Sequence, residues 1–67
     1  MVEKDRVGAI NRQIERIQKV KMALEGFLLD ENIATVRNKP MISLLVAGSD
    51  YLLVNLRQLI TRIKIEV

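Results

Sequence analysis

Apolar residues recur along this chain in steps of three and four, in two separate runs. In the first run Val7, Ile10, Ile14, Ile17, Leu24 and Leu28 keep to such steps. A helix turning about 100° per residue gathers them on one side. A seam held over more than about three heptads is the pattern by which helices pack on one another. Val20 and Phe27 widen it toward its C-terminal half. The second run, PMISLLVAGSDYLLVNLRQLI from Pro40 to Ile60 and on to Ile63, carries two apolar stripes. Ile42, Leu45, Leu52, Leu56, Leu59 and Ile63 fall on one side, whereas Leu44, Ala47, Tyr51 and Val54 follow one another on another side. Two helices in one chain cover a single line of contact, so the second stripe asks for a partner.

Between the runs the periodicity fails. DENIATVRNK holds the turn formers Asp30, Asn32 and Asn38, whose short side chains bond to nearby backbone. The pattern therefore predicts helix 1 over about residues 4–30, a connection over 31–39 and helix 2 over 40–64. Ile33 and Val36 are expected to close the open end of the core. Pro40 suits the first turn of helix 2, where a missing N–H costs nothing, and Asn38 is the expected cap before it. Small residues at Ala47, Gly48 and Ser49 leave a competing reading open, with MISLLVA as a strand, GSD as a turn and a shorter helix beyond. RIKIEV at the end also alternates, placing Ile63, Ile65 and Val67 on one side. The stripe running from Leu45 to Ile63 favours the continuous helix. Both helices then measure roughly 40 Å, at 1.5 Å per residue. Matched lengths suit an antiparallel helical hairpin, and the unsatisfied stripe suits its dimerisation into a four-helix bundle with helix 2, the less charged of the two, toward the centre.

One residue interrupts the seam of helix 1. Lys21 stands in the slot between Ile17 and Leu24. In a hairpin turning near Thr35, residue i faces about residue 70 − i, which sets Lys21 level with Gly48, Ser49 and Asp50. Lys21, Ser49 and Asp50 thus form a candidate polar layer that fixes register, as polar groups in helical seams do. The alternative is a lysine stem lying along the core with its ammonium in water.

Composition narrows the classes of function. Sixty-seven residues make one domain with a thin core, which disulfides, a metal or oligomerisation usually supports. The chain has neither Cys nor His, so disulfides, thiolate zinc sites and imidazole chemistry fall away. Oligomerisation is the support that remains. The serines and carboxylates assemble no catalytic or metal-binding motif, and no glycine-rich phosphate loop occurs. The reading is therefore non-enzymatic, with no cofactor. The N-terminus lacks the apolar core of a signal peptide. The most apolar window, 41–54, is broken by Ser49 and Asp50 and is shorter than the roughly 20 residues of a spanning helix. A cytoplasmic protein with no membrane partner is expected.

Two partner classes follow. The first is protein: another copy of the chain, or a larger complex for which this chain is an adaptor or accessory subunit, docking through Leu44, Ala47, Tyr51 and Val54. Tyr51 is the natural anchor, as tyrosine often is at interfaces. The second is nucleic acid. Eleven basic residues against eight acidic give a net charge of +3. Arg12, Arg16 and Lys19 share an outer face of helix 1, and Arg57, Arg62 and Lys64 gather near the end of helix 2. Paired across a dimer, such clusters could hold a duplex or folded RNA through its phosphates.

Overall fold

The computed structural model describes residues 2–66. Two helices make up the fold, α1 over Val2–Leu28 and α2 over Lys39–Glu66, packed against each other along their length. Neither strand nor break occurs among the described residues. α2 runs without interruption through Gly48, whose φ is negative like that of every other residue there. The strand reading of MISLLVA is therefore corrected, as is that of RIKIEV, which is helical as far as Glu66; Val67 lies outside the described residues. No helix is long and apolar enough to cross a membrane among those residues.

The connection is shaped by its own backbone bonding. Leu29 N and Asp30 N donate to Gly26 O and Phe27 O, both at 3.1 Å, tightening the end of α1 into a 3₁₀-like turn. The Asp30 carboxylate accepts the Asn32 amide, and its carbonyl accepts those of Ile33 and Ala34. This fold turns Ala34 inward, where it is buried, and leaves Val36 at the outer bend with 93% of its surface exposed. Ala34 thus closes the open end of the core, in place of the expected Ile33 and Val36. Asn38 holds the expected cap position, its carbonyl accepting the Ile42 amide at 3.0 Å, and its own amide donates to both the hydroxyl and the carbonyl of Thr35. The Asn38 side chain instead donates to Ile33 O. Pro40 follows as the second residue of α2.

The seam of α1 faces α2 as its periodicity implies. Ile14 is buried, and Val7, Ile10, Ile17, Lys21, Leu24 and Leu28 are half-buried, while the residues between them are exposed, apart from half-buried Gly8. The inner face of α2 is rotated from the expected one. Ile42, Val46, Ser49, Leu53, Leu56, Ile60 and Ile63 are the buried or half-buried positions, an unbroken alternation of four and three. Leu45 and Leu52 remain 50% exposed and Leu59 43% exposed, although the apolar count assigned them to the interior. Ser49 occupies a seam slot as a polar residue, which hides the true stripe. Its hydroxyl donates to Leu45 O at 2.9 Å, satisfying the group within its own helix.

The result is a rod, 49 × 14 × 11 Å with a radius of gyration of 15.4 Å. A compact chain of this length would have a radius near 11 Å. Its surface of 5458 Å² exceeds by about 1,100 Å² the roughly 4,300 Å² of a globular protein of 7.7 kDa.

The rotation of α2 is testable by truncation. Leu53, only 4% exposed, loses both transfer energy and packing on becoming alanine, so Leu53→Ala should cost about 2–5 kcal/mol. Leu45→Ala in the dilute chain should cost under about 1 kcal/mol. Urea unfolding followed by circular dichroism reads both, and equal costs would contradict the inner face described above.

Candidate interaction surface

Two helices side by side form a layer with two faces, and the sequence dresses them differently. Taking Ile14 and Leu53 as equivalent seam positions, the residue one step before each seam position opens on one face and the residue one step after opens on the other.

The first face is apolar over its loop half and carries the exposed Arg6, Gln13, Arg16 and Arg62 toward the chain ends. Val20 and Leu24 of α1 and Leu44, Leu45, Gly48, Ser49, Tyr51 and Leu52 of α2 line an open groove there. It continues toward the chain ends through a second groove formed by Leu52, Asn55, Leu56, Gln58, Leu59 and Arg62. Phe27 flanks it at the loop end by helical spacing, still 41% exposed. Gly48 opens the floor: a Cβ placed on it would meet nothing within 4 Å. No packing inside the chain therefore needs glycine at this position.

The face used by the candidate partner residues differs from the sequence reading in two of four positions. Leu44 and Tyr51 line the groove, and Tyr51 is 71% exposed. Ala47 and Val54 are exposed as well, but they lie round α2 toward the other face and outside the groove. Leu45, Leu52 and Leu59, which the sequence count sent to the interior, take their place. The signal that could have found them is their seven-residue interval.

The second face is mixed, its charged and amide groups standing beside the exposed Met22 and Val54. Gln18, Lys21, Met22, Glu25, Asp50, Leu53 and Arg57 line a groove on it. Lys21 Nζ lies 2.5 Å from Asp50 Oδ1, with side chains 28% and 53% exposed. The stem of Lys21 therefore follows the seam while its ammonium reaches a partner at the edge, which combines the two readings of this residue. Ser49 takes no part in that pair, since its hydroxyl is bonded to Leu45 O. The hydrogen bond to Asp50 raises the Lys21 pKa above its ordinary value of 10.5; partial desolvation opposes it, the Asp50 and Glu25 charges reinforce it, and Arg57 opposes it.

The basic residues do not share one surface. Arg12, Arg16 and Lys19 are exposed on α1. Arg57 borders the polar groove beside Asp50 and Glu25, whereas Arg62 borders the apolar one beside Leu59. Lys64 is exposed in the last turn of α2. Among the described residues, no three carboxylates come together as a metal site would require.

No family model, no curated protein and no solved structure matches this chain. Its functional reading therefore rests on the two faces alone.

The ion pair makes a pH-dependent prediction. Folding raises the Lys21 pKa, so its contribution to stability is complete below 10.5 and is lost as the pH climbs through the raised folded value. The stability difference between the wild type and Asp50→Asn, read from urea midpoints, should stay constant from about pH 7 to 9 and shrink above about pH 10.5. A difference that grows with alkalinity would show that the pair does not hold the lysine proton.

Proposed function

We propose that this chain is a non-enzymatic protein–protein interaction module, one half of a four-helix bundle completed when two further helices cover its apolar face. Those helices come from another copy in a homodimer, or from a larger complex that the chain serves as adaptor or accessory subunit. The observation that carries this reading is the groove built by Val20, Leu24, Leu44, Leu45, Gly48, Tyr51 and Leu52. Apolar side chains from both helices converge there, continuous with the seam beneath them. Burying such a surface is the main favourable term in helix association. Tyr51 and Leu44 at its outer rim have the shape of anchors for an incoming helix.

The groove is a packing surface, with no enclosed chemistry. Its polar neighbours, Asn55, Gln58 and Arg62, sit toward the chain ends, where they would form the wet edge of an interface. The alternative, a nucleic-acid hairpin using Arg12, Arg16, Lys19, Arg57, Arg62 and Lys64, gains nothing from this geometry. Arg57 and Arg62 open on opposite faces, and Arg57 is shared with acidic neighbours.

Charging the groove tests the proposal. Leu45→Asp with Leu52→Asp should leave the chain helical, because both positions are half-exposed. Association should weaken by more than about a hundredfold, since an interface would have to bury unpaired carboxylates. Val54→Asp, outside the groove, should change association little. Sedimentation velocity of the pure protein and recovery of proteins bound to the tagged chain in its native cells give the readouts. If both doubly charged and wild-type chains behave alike in the two assays, the groove is not a docking surface.

A further inference from the structure

We infer that the occupant of the apolar face is a second copy of this chain, lying antiparallel, with α2 against α2 and a two-fold axis beside Leu52. The inference rests on the reading of that face as a docking surface and adds the partner and its register.

The spacing of the leucines carries it. Leu45, Leu52 and Leu59 stand at equal intervals on the apolar face, and Leu52 lies at the middle of α2, Lys39–Glu66. Reversing the helix about Leu52 lays the stripe on itself. Leu52 meets Leu52 of the second copy, and Leu45 meets its Leu59. A contact between identical surfaces related by a two-fold axis needs this self-complementarity. A heterologous partner would not require it. Gly48, open above its Cα, then stands level with the Asn55–Leu56 turn of the copy and leaves room for it.

The area agrees. Two separate copies expose about 10,900 Å² against roughly 7,200 Å² for a compact protein of twice the mass, so a compact pair would cover about 1,900 Å² of each copy, more than the roughly 800 Å² each partner contributes to a stable dimer. The charges favour the antiparallel sense. Arg6 and Arg62 lie at the chain-end half of the rod. Aligning two copies in the same direction stacks these arginines with their own copies at one end. The antiparallel sense sets them against the loop end, where Asp30 and Glu31 balance Arg37 and Lys39.

Cysteine scanning of the full-length chain tests the register, because the native sequence contains no cysteine. Leu52→Cys should form an intermolecular disulfide under mild oxidation. Leu45→Cys and Leu59→Cys should each fail to join themselves, their own copies lying about 20 Å away, yet should join each other when mixed. Sedimentation equilibrium of the wild type should give twice 7.7 kDa. A dimer in which Leu52→Cys joins Val20→Cys, and not itself, would overturn the axis. A wild type that stays monomeric at about 100 μM, well above the micromolar range of specific association, would overturn the second copy. In that case the charged variant decides the fate of the docking face. If Leu45→Asp with Leu52→Asp still abolishes recovery of cellular proteins, the face survives with another partner; if recovery is unchanged, both readings fall.

Discussion

Two helices can bury one line of contact, and almost everything about this molecule follows from that limit. Each helix turns a seam of alternating three- and four-residue steps toward the other, and each seam residue is flanked by neighbours that stay at least partly in water. Among the described residues Ile14, Ala34, Ile42, Leu53 and Ile63 are the buried apolar ones, and no large side chain is fully enclosed. A core this thin gives little beyond the seam itself. The rod shape, the large surface and the exposed leucines are consequences of one shortage: the described residues hold no third element to pack against.

The two faces of the hairpin answer the shortage differently. On one, Gln18, Lys21, Glu25, Asp50 and Arg57 dress the edge of the seam with charge and amide groups, a surface content in water. On the other, aliphatic residues from both helices continue the core outward. A chain with two polar faces would end at the hairpin. A chain with two apolar faces would stack without closing. The proposed half-bundle rests on that contrast between the two faces.

Much of the fold was legible in the chain, because α1 obeys the rule that sequence patterns are best at revealing: one seam, one sustained interval, charged residues elsewhere. The connection was legible in place and obscure in detail. Turn formers mark residues 30–38, but which of Asp30, Thr35 and Asn38 would bond to which group depends on the path of the backbone, and Asn38, at the cap position, turns its side chain back to Ile33 O. The inner face of α2 was the harder problem. Counting apolar residues favours Leu45, Leu52 and Leu59, since a serine in the true stripe lowers its score. The count overlooks that a serine bonded to its own helix at i−4 tolerates burial, and so Ser49 hides the line on which Val46, Leu53 and Ile60 lie. The apolar groove was consequently half visible: Leu44 and Tyr51 could be named among its lining, but Leu45 and Leu52 could not.

That ambiguity is physical as well as interpretive. α2 has two rotations that would bury an apolar stripe on α1, one through Leu53 and one through Leu52, residues about 100° apart round the helix. In the second, three leucines enter the seam while Val46, Leu53 and Ile60 turn out toward solvent, so hydrophobic area alone discriminates poorly between them. Lys21 discriminates better. In the observed rotation its ammonium meets Asp50 at the edge of the seam. Rotating α2 until Leu52 faces α1 carries Asp50 away from that edge and leaves the lysine against aliphatic neighbours, with a charge that has lost its partner. An exposed pair adds little stability by itself, but its loss falls wholly on the wrong arrangement. The rotation that brings Lys21 to Asp50 is also the one that leaves Leu45, Leu52 and Leu59 outside the seam.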